Sequence, residues 1–372
     1  MNINRILTLS KHNIFGRTLL MVGVTWLPLL FLTIAEGTLL TGVDVSFLKD
    51  IVPYARCLIV IPLLISVESV IAPMIANVDE YLKTSGIVSV SDLPEFTGFV
   101  EKRSVMMNAL LVNLLLLLVS ITASWFMKAD YTELLELKNL SSWALYSEDG
   151  IIESSMAGMW FIYVSLPLVS FILYRWLWRF IVWSLFLYRI SRLDLQLQAT
   201  HTDLSGGLGI VGITHNMFGV LFLAMSMMTS AQLANELLYE GAQLVDVKLF
   251  VIVYLIISIV FINAPLLVFG RSLFKLKRQA ILEYSLLQYQ TSAEFHQHWI
   301  SRKDNMMVDS VQPSALADYS AVYEIISSIR MMPLNPRGVA VMSAVILAPF
   351  LPLVFTQSSI KDVILTIGDS VL

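Results

Sequence analysis

Four polar side chains lie inside long apolar runs: Glu68, His215, Asn113 and Asn263. An ionisable group at the centre of a bilayer costs about 2.5–3.5 kcal/mol on insertion scales, so each one calls for a reason. Counting about 1.5 Å per helical residue from the nearer end of each run puts Glu68 about 15 Å deep, Asn113 about 12 Å, His215 about 10 Å and Asn263 about 9 Å. The four therefore occupy one stratum of the membrane. Two chemistries suit such a layer. A water-accessible vestibule would use Glu68 as an ion or proton site and His215, whose imidazole ordinarily titrates near neutral pH, as its partner. Alternatively the four groups bind neighbouring helices at about 0.6 kcal/mol per hydrogen bond, with Glu68 protonated.

A second candidate is the stretch His201-Thr-Asp203-Leu-Ser-Gly206-Gly207-Leu-Gly209-Ile-Val-Gly212. Its last glycines formally satisfy G-x-G-x-x-G, but an apolar spanning run follows and position 232 is Gln, so a dinucleotide fold is excluded. A helix that starts here points its free N–H groups and positive dipole end out of the membrane, and glycine lets a ligand approach them. With Arg189 and Arg192 upstream, His201, Asp203, Gly206, Gly207 and Gly209 form a candidate anion or lipid-headgroup site. The competing reading is a turn, capped by Asp203 or Ser205, whose glycines allow close packing. His215 lies about 20 Å from His201 along a regular helix, which rules out a shared metal ion. No G-x-S-x-G, H-E-x-x-H or P-loop signature is present, so nothing positive supports catalysis, and no cofactor is expected.

The elements that position these residues follow from composition. Of 372 residues 57% are apolar and 14% charged, and mean hydropathy is +0.75. Soluble domains carry about 25% charged residues, so the solvent is lipid. A net charge of −4 offers no field for nucleic acid. Cys57 is the single cysteine and makes no internal disulfide. Seven runs reach the roughly 20 residues that span a hydrocarbon core: about 19–40, 57–78, 105–127, 157–174, 208–230, 249–269 and 339–355. The first lacks a small-residue cleavage site and is expected to remain as an anchor. The fourth run continues in apolar residues to 190, either as one long helix or as a second piece lying in the interface.

Eighteen of the 24 Lys and Arg fall in 1–18, 79–104, 175–207 and 270–338, and six fall in the alternate segments. Cytoplasmic loops retain such residues, so the N-terminus is expected inside and the C-terminus outside. Arg175 and Arg179, set among Tyr174, Trp176 and Trp178, read as snorkelling cations of the inner interface. The 128–155 loop is then external and acidic, with one short helix near Tyr131 to Lys138. The expected fold is all-α: a polytopic membrane protein with transmembrane helices 1–6 in 1–270, a cytoplasmic helical arm in 271–338, and the last membrane helix with a short tail in 339–372. Pro349 and Pro352 make that last helix the weakest, and it is expected either to span or to re-enter.

Several ordered motifs resemble a family of bacterial polytopic inner-membrane proteins whose activity is uncharacterised. They are Thr25-Trp-Leu-Pro28 through Glu36-Gly37, Ile61-Pro62-Leu-Leu through Glu68, Arg175-Trp-Leu-Trp178-Arg179 through Ser191-Arg192-Leu-Asp194, the His201-x-Asp203-x-x-Gly206-Gly207-Leu-Gly209 loop, and Ser314-Ala-Leu-Ala-Asp318 followed by Arg330-Met-Met-Pro333. In that family the histidine is usually followed by proline, whereas Thr202 stands here. The resemblance implies compartment and fold, places Glu68, His201 and Asp203 in the family pattern, and implies no activity. The sequence thus supports a homo-oligomeric small-ion or small-anion pathway. The other readings are a non-transporting scaffold or sensor whose arm, 271–338, binds a soluble cytoplasmic partner, and a lipid enzyme using His201 and Asp203.

Overall fold

The computed structural model describes residues 3–138, 141–148, 151–239, 241–297 and 311–356. Among these, seven helices are long and apolar enough to cross a membrane: Ile14–Ala35, Ile51–Thr84, Leu110–Met127, Met156–Ile190, Gly209–Tyr239, Val247–Phe295 and Pro336–Val354, referred to below as spans 1 to 7. The molecule is a polytopic helical membrane protein. The tail expected beyond residue 356 lies outside the described residues.

Local chemistry explains where the helices begin and break. Asp50 opens span 2 by accepting the Val52 N–H at 2.9 Å, and Ser155 opens span 4 by accepting the Gly158 N–H at 2.8 Å. The third apolar run does not start at 105 as expected. Ala109 turns to an extended conformation (φ −60°, ψ 124°), ending one helix, Leu93–Asn108, before the next begins at Leu110. Span 4 is continuous for 35 residues, which settles that expectation in favour of one helix about 50 Å long. Span 6 also runs on into the arm, passing through a 3-10 segment, Ala264–Phe269, where Pro265 removes a helical N–H. Span 7 changes from α-helix to 3-10 helix at Ala348. The larger rise of that helix, about 2.0 Å per residue, brings a short run to about 30 Å.

The 128–155 segment differs from expectation. Its helix is the continuation of span 3 to Lys138, and beyond it Leu145–Glu148 and Ile151–Ser154 pair as an antiparallel hairpin. The hairpin base is tied to the loop after span 1: Trp143 donates its backbone N–H to the Val45 carbonyl at 3.0 Å and its indole N–H to Asp50 at 2.8 Å. Asn235, near the end of span 5, donates to the same Asp50 carboxylate at 2.7 Å. One carboxylate thus joins three segments at this end of the bundle.

The core lies between spans 2, 4 and 5. It is built on Trp176, Phe180, Trp183, Phe186, Phe218 and Phe222, closed by Ile262, Phe269, Met342 and Ile346. In lipid there is little hydrophobic gain from helix association, so close packing and interhelical hydrogen bonds must hold it. Trp176 donates its indole N–H to the Leu64 carbonyl at 3.0 Å, and the Ser165 hydroxyl donates to the Thr25 carbonyl at 2.7 Å. Gly158 packs directly on the Ala144 carbonyl, where a Cβ would overlap it. The arm helix Val311–Ser327 lies against Gly270–Phe295 through Ala280 and Ile326, with Ile329 just beyond its end in the same cluster.

Candidate functional site

Glu68 faces three arginines. Arg179, about two-thirds of the way along span 4, donates to Glu68 Oε1 at 2.5 Å. Arg175, one turn earlier on the same face, lies 3.8 Å from that oxygen, and Arg17 of span 1 lies 3.7 Å from Oε2. The positions agree with the helix lengths. Glu68 is about 26 Å along span 2 from Ile51, and Arg175 about 29 Å along span 4 from Met156, so both reach one level near the edge of a roughly 30 Å core. Glu68 is shallower than the roughly 15 Å expected because span 2 starts at Ile51 and not at 57. At this depth water and headgroups help carry the charge.

The arginines are unequally engaged. Among the described residues neither Arg17 nor Arg175 donates a hydrogen bond, and Arg175 Nε is buried without a partner. Each guanidinium carries five donors, so most of this donor capacity is unspent. Side-chain exposure falls from 48% at Arg17 through 29% at Arg175 to 14% at Arg179, so the cluster grades from open to closed. A cavity of about 250 Å³ follows that gradient, lined by the three arginines, Glu68 and Trp176 together with Leu20, Met21, Ile65 and Phe171.

A second cavity of about 300 Å³ lies on the other side of Glu68, Trp176 and Arg179 and reaches Asp79, Arg103 and Phe218. Arg103 makes a two-pronged ion pair with Asp79, with its guanidinium 4.2 Å from the Phe186 ring centroid. This pairing and stacking satisfy a buried cation. Four arginines and two carboxylates therefore line the two cavities, and the Glu68–Arg179 pair forms part of the wall between them.

The other members of the expected polar layer are placed differently. His215 is fully buried, and neither of these two cavities reaches it, Asn113 or Asn263. Trp183 donates its indole N–H to His215 Nδ1 at 3.2 Å, which assigns the ring proton to Nε2, beside the Ile262 carbonyl. The ring therefore bridges spans 4, 5 and 6. Asn113 donates at 3.0 Å to the carbonyl of Ala109, the extended residue just before its helix, and Asn263 at 2.7 Å to the Ile259 carbonyl of its own helix. The helix rotations, which depth alone does not fix, separate the four residues.

The glycine loop is closed on itself. Asp203 Oδ1 accepts the N–H groups of Ser205 at 2.8 Å and Gly207 at 3.2 Å, and Oδ2 accepts that of Gly209 at 2.7 Å. His201 Nδ1 lies 2.9 Å from Oδ1. Burial pushes the Asp203 carboxyl up, but these three N–H donors and the histidine outweigh it and hold it below the ordinary carboxylate value. The donors expected to receive an external anion are thus already used by an internal one, and the capped-turn reading describes the geometry. Gly206 and Gly207 have φ +67° and +96°, which suit glycine. A Cβ on Gly212 would overlap the Pro333 carbonyl, so that glycine admits the 331–335 segment against span 5. Arg189 and Arg192 stand apart from the loop: Arg189 lies over Phe99, and Arg192 lies over Tyr188 and donates to its hydroxyl at 2.8 Å.

Sequence reading singled out Glu68 but did not bring Arg17, Arg175 and Arg179 to it. Arg175 and Arg179, at i and i+4, share one helix face, but the snorkelling explanation absorbed them. The usable signal was the length of the apolar run beyond them, which places them within span 4 rather than at its end.

No family model, curated protein or solved structure matches the chain.

Proposed function

We propose that this membrane protein forms a small-anion pathway whose binding station is the arginine cavity at Glu68. The carrying observation is the convergence of Arg17, Arg175 and Arg179 on a single carboxylate, with the first two retaining unspent donors. Guanidinium groups are suited to oxyanions and halides alike, and a low-dielectric wall strengthens their field. The excess of Lys and Arg in 1–18, 79–104, 175–207 and 270–338 supports an inner-membrane orientation with the N-terminus and arm in the cytoplasm and the C-terminus outside. Bacterial origin and the family with the His201-x-Asp203 loop belong to the same proposal, as does assembly from several copies. Chloride efflux from proteoliposomes tests it: efflux above that of protein-free vesicles, reduced at least tenfold in Arg175→Gln, is expected. Efflux equal to that of empty vesicles removes the proposal.

A second reading has its own observation. Leu282, Leu286 and Tyr289, spaced i, i+4, i+7 on the arm, are 66%, 61% and 74% exposed. Such a stripe outside the apolar run suits a scaffold or sensor whose arm binds a soluble partner. A stoichiometric partner recovered by cross-linking to the intact chain and lost with Leu286→Glu supports this reading, and its absence together with anion efflux favours the pathway.

A further inference from the structure

The arginine cavity has a chemical asymmetry that a site for a bare hydrated ion does not need. Its cationic floor, Arg175 and Arg179, is continuous with an apolar wall formed by Leu20 and Met21 of span 1, Ile65 of span 2, and Phe171 and Ile172 of span 4. The wall is open on one side. Leu20 is 62% exposed, Arg17 is half exposed, and a Cβ placed on Gly16 would meet no atom within 4 Å. Span 1 packs along span 2 and touches span 4 mainly through the first turns of that helix, Met156–Ser165, so the two diverge toward the level of Arg175. The wedge between them opens sideways, at the edge of the apolar run, where acyl chains meet headgroups.

We infer that the wedge between spans 1 and 4 binds the phosphate of an anionic phospholipid, with Arg17 and Arg175 on the phosphate oxygens and an acyl chain along Leu20, Met21 and Phe171. Basic pockets between membrane helices recognise headgroups in this way, and guanidinium groups match phosphate in two-pronged geometry. Glu68 sets the selectivity. Its carboxylate holds Arg179 and repels a second negative charge placed deeper, so the phosphate stops at the outer two arginines. A zwitterionic headgroup presents the same phosphate but brings an ammonium group that the cluster repels. The inference rests on the proposed anion site and adds the class of ligand and its route of entry.

Purified full-length protein in a neutral detergent is titrated with phosphatidylglycerol, phosphatidylcholine or inorganic phosphate, and bound lipid is counted by native mass spectrometry alongside the thermal unfolding midpoint. Expected are retention of phosphatidylglycerol at least tenfold stronger than phosphatidylcholine, a midpoint raised by phosphatidylglycerol and not by phosphatidylcholine, and a roughly fivefold loss of affinity for each of Arg17→Gln and Arg175→Gln. Arg175→Lys, which keeps the charge but loses the two-pronged fork, should bind between the unaltered chain and Arg175→Gln. Leu20→Gln should weaken lipid retention while leaving both arginines in place. Equal retention of the two lipids, or phosphatidylglycerol binding unchanged in both Arg→Gln variants that still unfold cooperatively, overturns the inference. Stabilisation by inorganic phosphate without selective lipid retention overturns it while leaving the anion site standing. Failure of both phosphate and lipid removes the site itself.

Discussion

Arg179 donates to Glu68 at 2.5 Å, and this one contact lies in the wall shared by two cavities of about 250 and 300 Å³. A charge pair in such a position does more than neutralise two groups. It sets which charges face each chamber: Arg17 and Arg175 on one side, and the Asp79–Arg103 pair on the other.

The Asp79–Arg103 pair is expected to be structural. Arg103 is 6% exposed and sits over Phe186, so Arg103→Gln leaves the Asp79 carboxylate, largely buried in the wall of the second cavity, without its partner. Loss of one member of a buried pair costs about 3–5 kcal/mol. Thermal or denaturant unfolding in detergent should show that loss for Arg103→Gln and a smaller one for Asp79→Asn with Arg103→Gln combined. An additive double variant would show that the two side chains act independently.

His215 is expected to matter for stability and not for ion selectivity. The ring bridges Trp183 and the Ile262 carbonyl within a closed aromatic core. Replacing it with Ala removes both contacts and leaves a void, which costs about 2–5 kcal/mol by comparison with other large-to-small core changes. The unfolding midpoint should fall, and the pH profile of chloride efflux in the remaining folded protein should match that of the unaltered chain. A profile that changes shape would place His215 on the pathway.

Asp203→Asn should destabilise the glycine loop by about 1–2 kcal/mol, the scale of a lost cap. The folded carboxyl lies below its ordinary value. Its contribution is therefore present at neutral pH and disappears only as pH falls through that lowered folded value. Melting midpoints of the two proteins should differ near pH 7 and converge in acid below the usual carboxylate range. A difference that grows on acidification would contradict the assignment of the three N–H donors to Asp203.

The spans were legible in the sequence because apolar run length is measured against a fixed hydrocarbon thickness. The continuation of span 6 into the arm was legible because Leu273, Leu276 and Ile281 keep the helical period without a break. Other features turn on information that no local pattern holds. Ala109 breaks a helix with no proline or glycine beside it, and the hairpin at 145–154 is anchored by contacts to Val45 and Asp50, about a hundred residues away. Depth placed Glu68, His215, Asn113 and Asn263 in one stratum, but which of them meet depends on helix rotation. Glu68 turns toward cations of spans 1 and 4, while each asparagine turns back to the carbonyl four residues before it. In the glycine loop, Asp203 was a visible cap candidate, and only the traced backbone shows it taking three N–H groups at once.

Gly212→Ala tests how the segment after the arm is held. A Cβ there would overlap the Pro333 carbonyl, and backbone on both sides leaves no flexible atom to yield. Hydrogen exchange should speed up through 328–335 with little change in the hairpin at the other end of the bundle. Unchanged protection at 328–335 would mean that this contact is not maintained.

The most direct measurement for the arginine cavity is the reversal potential of the reconstituted protein in a planar bilayer under a potassium chloride gradient. The expected value lies toward the chloride equilibrium potential, and Arg175→Glu, which reverses one charge beside Glu68, should move it toward that of potassium. Conductance no greater than that of a protein-free bilayer, or a potential on the potassium side that Arg175→Glu leaves unmoved, would contradict an anion pathway at Glu68.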